Sequence, residues 1–309
     1  MSVRRRALSP SRYAWVTRLA LASLCIIVVT GAAVRLTSSG LGCSDWPNCN
    51  EEKFIDVSSM HGAIEQLNRL FTGVVTVLVM ASVLAARFLS ERRRDLERLA
   101  WLLVVGVIGQ IVLGGIVVLT DLNPVANQGH FLLSMFLVGT GLVLVKRAAG
   151  WRTVSGTSAS IVRLVRSVVF LGSVAIVTGT VVTGTGPHAG DEKAPRLDFS
   201  IETVARVHGV TVIITLASIL VLLAKVRNLP EERRRLHGPV ETVLAIGVIQ
   251  ATVGYVQYFN DIPALLVGIH IALATAFFLA LVNMWMSAGR SAQAPTTQTP
   301  DASRATVAR

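Results

Sequence analysis

The second half of this chain repeats the first, and the repeat falls within apolar stretches long enough to cross a bilayer. Gln110 begins QIVLGGIVVLTDLNPVANQGH, which ends at His130, and Gln250 begins QATVGYVQYFNDIPALLVGIH, which ends at His270. In both runs the histidine follows the glutamine by twenty residues, with Gly114 and Gly254 four residues in. Upstream, VTGAAVRLTSSG (29–40) is echoed by VTGTVVTGTGPHAG (177–190). Crossing a hydrocarbon core takes about 20 helical residues. Eight apolar stretches meet that length, roughly 15–36, 63–87, 99–120, 126–147, 162–184, 204–226, 239–259 and 263–286. Only helices and closed barrels satisfy their backbone in lipid, and continuous Val, Leu, Ile and Ala runs lack the alternation of a barrel strand. The expected fold is an all-α membrane protein of eight transmembrane helices, built as two pseudo-symmetric four-helix bundles. The halves run over 15–150 and 151–287, flanked by a basic segment (1–14) and a polar tail (288–309) expected to be disordered.

Composition agrees: 52% of residues are hydrophobic and 15% charged, against about 25% charged in a soluble domain. The net charge of +11 invites a nucleic-acid role, but its distribution argues for a lipid bilayer as partner and no nucleic acid. Basic residues gather at Arg4–Arg6 and Arg12, in ERRRDLER (91–98), around Lys146, Arg147 and Arg152, and in KVRNLPEERRR (225–235). The alternate loops are acidic or neutral, with Asp45, Glu51, Glu52 and Asp56, then Asp121, then Asp261. By the positive-inside rule both termini are cytoplasmic, loops 37–62 and 185–203 face outside, and the protein belongs to the cell (inner) membrane. The first helix follows an Arg-rich start but is too long for a signal-peptide core, and its end matches that of helix 5, so it is expected to be retained. Cys25 reads as a small buried hydrophobe. Cys43 and Cys49 flank SDWPN in an outside loop, where a disulfide is the expected state.

Six histidines are present. His237 follows EERRR and reads as solvated. His188, in GTGPHAGDEK, serves either a ligand's polar edge or the loop itself. A single intramembrane histidine is as readily explained by a ring bonded to a neighbouring carbonyl as by a ligand. Three at one depth in a repeated bundle, His130, His208 and His270, favour a metal cofactor held between helices. His208 and His270 share a half, where helices facing each other across a porphyrin can supply both axial ligands. In helix 2, HGAIEQLNR (61–69) places His61, Glu65 and Asn68 within about 60° of one helical face. A carboxylate in a span costs about 2.5–3.5 kcal/mol on insertion scales, so Glu65 needs a partner, whether structurally with Arg69 or in a functional role. Arg35, Arg69 and Arg206, near the outer ends of helices 1, 2 and 6, suit porphyrin propionates, and interfacial snorkelling explains them nearly as well.

Taken together, the eight spans, the duplication, TGAAVRLTSSGLGCSDWPNC, IEQLNRLFTG, GTGPHAGD and the helix positions 68, 130, 208 and 270 resemble the heme A synthase family. The resemblance implies conversion of heme O to heme A, in which successive hydroxylations turn the methyl on porphyrin carbon 8 into a formyl group. It implies a resident heme B ligated by His208 and His270, with electrons from an unknown donor. The substrate heme O, supplied by heme O synthase, would occupy the first half with Glu65 and His130. Two departures stand out. Where the family carries Glu-x-x-His-Arg, this chain reads Glu65-Gln66-Leu67-Asn68-Arg69, and the second outside loop lacks the cysteine pair seen in some members. Asn68 is a poor ligand, so either His130 alone binds the substrate iron, with Asn68 as a polar lining residue and His61 at a propionate or the porphyrin edge, or His61 replaces the usual ligand. Rival readings are a membrane b-type cytochrome that leaves heme unaltered and a heme or quinone carrier; Glu65, which has no counterpart in the second half, favours the enzyme.

Overall fold

The computed structural model describes residues 8–151 and 157–289; Arg4–Arg6, Arg152 and the polar tail beyond 289 lie outside them. Eight helices follow in chain order: α1 (Pro10–Leu36), α2 (Met60–Arg87), α3 (Arg94–Leu119), α4 (Pro124–Ala148), α5 (Ala159–Thr185), α6 (Ile201–Arg227), α7 (Pro230–Phe259) and α8 (Ala264–Ala288). All eight are long and apolar enough to span a bilayer, and the chain is a multi-pass membrane protein. Local chemistry starts them. Ser9, Ser59, Asn123 and Ser200 accept hydrogen bonds from the otherwise unpaired first-turn N–H groups of α1, α2, α4 and α6, and Pro10 and Pro124 occupy the first turn, where no N–H is needed.

The largest boundary difference from the sequence reading is in α7, which starts at Pro230, not near residue 239. Glu231 and Glu232 occupy its first turn, where the helix dipole favours acidic side chains. Glu232 is buried and accepts from the Ser158 N–H (3.3 Å), while Leu236 is fully buried. Packing thus draws a basic, loop-like stretch into helix, and the helix continues through Pro239 at the loss of one backbone hydrogen bond. His237 is accordingly not simply solvated but lies 3.1 Å from Glu241, one turn on.

In the first half α1–α2, α2–α3, α3–α4 and α4–α1 are neighbours; in the second α5–α6, α6–α7, α7–α8 and α8–α5 are. The two rings are thus the same ring made twice. Their helices pack together through α4 against α8, α1 against α8 and α4 against α5, a set that exchanges into itself when the halves are swapped. In each half the diagonal helices stay apart: α2 and α4, and α6 and α8, nowhere bring their Cα atoms within 8 Å.

Apolar packing is concentrated at one end of each bundle. In the first it is built from residues such as Leu24, Val79, Leu103 and Leu144, in the second from Val165, Leu222, Val240 and Leu281. At the other end no residue of α4 before Met135, nor of α8 before Thr275, is fully buried; these positions correspond in the repeat. That lightly packed end carries the loops between α1 and α2 and between α5 and α6, tied together by Gly40 N–H to Gly190 C=O (2.9 Å). His188 Nε2 lies 2.7 Å from the Ile262 carbonyl, which gives that histidine a loop-structural role. The basic clusters lie at the packed end, where Leu8 pairs with the α2–α3 connection.

This arrangement predicts the labelling pattern of single cysteines introduced into a Cys25→Ala background. In sealed right-side-out vesicles, an impermeant maleimide should react with Lys193→Cys and spare Arg92→Cys. Equal labelling of both would refute the orientation read from the charges.

Candidate functional site

His208 and His270 lie in the lightly packed end of the second half, at the eighth residue of α6 and the seventh of α8. Both are about 10 Å from the helix starts at 1.5 Å per residue. Glycines on the neighbouring helices admit the rings. A Cβ on Gly179 of α5 would lie 3.1 Å from His208 Cε1, and one on Gly254 of α7 would lie 3.0 Å from His270 Cε1, tighter than side chains ordinarily pack. Thr178 Oγ1 lies 3.1 Å from His208 Nδ1. Gln250 Nε2 donates to the backbone carbonyl of His270 (3.0 Å), fixing that turn of α8, while His270 Nδ1 is buried without a partner. Two imidazoles at one depth on diagonal helices, with ring nitrogens left over, suit the two axial positions of a porphyrin iron.

The first half repeats these contacts. Gln110 Nε2 donates to the His130 carbonyl (3.0 Å), a Cβ on Gly114 would lie 3.5 Å from His130 Cε1, and His130 Nδ1 is buried and unpartnered. Thr30, the repeat counterpart of Thr178, donates to Asn68 Oδ1 (2.8 Å). Asn68 therefore stands where His208 stands in the second half, held by the same threonine. The smaller side chain leaves room: a Cβ on Gly31, the counterpart of Gly179, would meet nothing within 4 Å.

Glu65 and Arg69 do something the repeat does not share. The Glu65 carboxylate is buried, accepts Arg69 Nε (3.0 Å) and Nη2 (2.6 Å), and accepts the Cys43 N–H (2.8 Å). Arg69 goes on to donate to the carbonyls of Asp45 (3.1 and 3.2 Å) and Asn48 (3.0 Å), with its guanidinium 5.1 Å from the centre of the Trp46 ring. The pair thus grips the loop closed by the Cys43–Cys49 disulfide, which is formed. Beyond the disulfide, Asp56 turns the chain back by accepting from Ser58 N–H and Asn50 Nδ2, and the Ser58 bonds hold its carboxyl below the usual range. Sequence alone showed neither the reach of Arg69 into the loop nor the place of Trp46; the clue was a Trp between two cysteines near an intramembrane Glu–Arg pair.

Two expected residues are exposed, and a third bridges the two halves. His61 is exposed at the second residue of α2, 3.0 Å from Ser39 Oγ, because it belongs to the mouth of the loop rather than the body of the helix. Arg206 is exposed, two residues and thus about 200° around α6 from His208. Arg35 donates from Nη2 to the Thr183 carbonyl (2.7 Å), linking α1 to α5, and its Nε is buried without a partner. Among the described residues no three His, Cys, Asp or Glu side chains cluster as ligands for a bare ion.

Residues 13–61, which span α1 and the disulfide loop, match the family model for the cytochrome oxidase assembly protein COX15-CtaA. The chain is also similar to curated heme A synthases. That of Geobacillus thermodenitrificans is 32% identical over 124 residues, 39% of this chain and 38% of the relative. That of Bacillus pumilus is 32% identical over 121 residues, 38% and 39% of the two chains, and that of Exiguobacterium sibiricum 29% over 123 residues, 40% and 41%. The match spans about two fifths of the length of these relatives.

The Glu65–Arg69 pair is largely shielded, with side-chain exposures of 7% and 14%. Removing one partner of such a pair strands the other, so Arg69→Ala should destabilise the protein by about 3 kcal/mol. In thermal unfolding, the double variant Glu65→Gln/Arg69→Gln should recover part of that loss. A single variant as stable as wild type would show that the loop does not depend on the pair.

Proposed function

We propose that this chain is a heme A synthase, which oxidises the carbon-8 methyl of heme O to a formyl group while a heme B resides in the second half. The observation that carries the reading is one position treated two ways: the threonine-held site bears His208 in one half and Asn68 in the other, and only the Asn68 half has a buried carboxylate at that end of the bundle, the buried Glu232 lying at the far end of α7. A site with two imidazole ligands and no buried acid beside them suits electron transfer; a site with one imidazole, an amide and a carboxylate suits chemistry on a bound substrate. The similarity to curated heme A synthases supports the same assignment.

In this reading His208 and His270 hold heme B, which supplies one-electron transfer when bound. Thr178 and Gln250 orient the two ligand turns, as outer partners of metal-bound histidines do. His130 binds the heme O iron, with Asn68 as the polar residue of the facing helix. Glu65 is the acid–base group of that half, with Arg69 as its counter-ion. The unpartnered Nε of Arg35 is available to a propionate. His61, bonded to Ser39 at the mouth, contacts the porphyrin edge rather than iron. Heme O synthase is the expected supplier, and the reaction takes place in the inner membrane with both termini cytoplasmic.

Replacing either His208 or His270 with alanine should abolish the low-spin spectrum of the resident heme; two single variants that keep it unchanged would rule out the ligand pair. Pigment extracted from the purified protein should include formyl or hydroxymethyl porphyrin beside heme B, whereas a b-type cytochrome yields one heme only.

Within the substrate half, Glu65→Gln keeps a hydrogen-bond acceptor for the loop but removes the charge, and should retain heme B while losing heme A formation. His130→Ala should be inactive and His61→Ala should retain turnover. Full heme A output from Glu65→Gln, or none from His61→Ala, would reassign these residues.

A further inference from the structure

The two halves close the same seam by different means. Gly115 of α3 corresponds in the repeat to Tyr255 of α7, and Arg69 of α2 to Gly209 of α6. In the second half Tyr255 reaches across from within its own helix, its hydroxyl 3.9 Å from where a Gly209 Cβ would stand. In the first half the aromatic ring comes from outside the bundle. Trp46 of the disulfide loop lies against Gly115, where a Cβ would be 2.5 Å from its Cδ1 and Nε1, and its ring also faces the Arg69 guanidinium. One ring thus touches both helices, about 6 Å in from the end of α3 at 1.5 Å per residue. Gly115 is required there, since any side chain would occupy the place of the indole.

From this asymmetry, and resting on the function proposed above, we infer that the α2–α3 seam is the lateral port through which heme O enters and leaves from the leaflet on the disulfide-loop side, with Trp46 as its removable plug. The seam faces lipid, because α2 and α3 take no part in the contact between halves. Its flanks are apolar and exposed: Leu67, Leu70 and Val74 on α2, Val112 and Ile116 on α3. An amphiphilic porphyrin with a long apolar tail partitions into the bilayer and needs a lipid-facing entrance, not an aqueous one. The plug is held by polar contacts, the Arg69 bonds to Asp45 and Asn48 carbonyls and the Cys43 N–H on Glu65, which interfacial water can replace when the loop lifts. The disulfide keeps the loop in shape as it moves. The second half has its aromatic built into α7 and so holds its heme permanently.

The experiment uses full-length, heme B-loaded protein in nanodiscs mixed with vesicles carrying heme O, with heme O uptake and release followed by absorbance. Trp46→Ala should accelerate both by on the order of tenfold, as expected for loss of one desolvated aromatic–cation contact. Trp46→Phe should stay near wild type, and Tyr255→Ala should leave heme O exchange unchanged. The low-spin heme B spectrum reports that each variant is folded; should the alanine variant lose it, Trp46→Leu provides the same reading. Exchange at the wild-type rate, or slower, in a folded Trp46 variant overturns the port. Wild-type protein that neither takes up nor converts heme O overturns the proposed function, and the port with it.

Discussion

Hydrocarbon offers a polar side chain no water to fall back on, so every buried polar group in a membrane helix must be partnered by protein or by what the protein binds. The contacts around the histidines follow from that constraint. Gln110 and Gln250 spend their amides on the carbonyls of His130 and His270, and Thr30 and Thr178 spend their hydroxyls on residues 68 and 208. Each contact crosses between neighbouring helices and fixes a rotation about a helix axis. The atoms left unpartnered around the histidines, Nδ1 of His130 and His270 and Oε1 of Gln110 and Gln250, are among those buried without a partner in the described residues, and they leave the interior polar capacity that something bound there can meet. Glycines complete the geometry, because a ring at these points needs a neighbouring backbone without a Cβ.

Duplication makes the differences between the halves readable. Glu65 and Arg69 stand where Ala205 and Gly209 stand in the second half. Two charged side chains on α2 raise a problem that α6 does not have, and the disulfide loop answers it: its Cys43 N–H faces the carboxylate, and its Asp45 and Asn48 carbonyls face the guanidinium. Paired charges in a low-dielectric setting are tolerated only when their remaining hydrogen-bonding capacity is also met. A loop of bare backbone groups, tied by the Cys43–Cys49 bond, meets it where a third side chain would have to be found and desolvated.

Much of this was legible in the sequence. Span length, the charge alternation and the repeated Gln–Gly–His spacing fix eight helices and set His130 against His270, because those signals are local or periodic. The position of Asn68 was legible too, since its threonine partner lies in the other repeated segment. The start of α7 was not: the burial of Leu236 and Glu232 is a tertiary effect that outweighs the loop-like composition around Pro230 and Pro239. The exposure of Arg206 and His61 was not legible for a related reason. Nearness along a helix does not give direction around it, and a residue one turn into a helix still belongs to the loop packed on it.

Trp46 was the least legible residue, because its meaning depends on a glycine nearly seventy positions away on a different helix. Gly115 by itself reads as a small residue at a helix contact, and Trp46 as an interfacial aromatic of the kind membrane proteins carry at the headgroup level. Only the exchange of sizes between the halves, Gly115 for Tyr255 and Arg69 for Gly209, shows that one seam has been closed twice. An in-helix tyrosine stays tethered to α7, which packs against α6 and α8. A loop-borne tryptophan can leave by moving a few residues of backbone. The bundle that must exchange its contents therefore carries its plug on a loop, and the bundle that must retain them carries it on a helix.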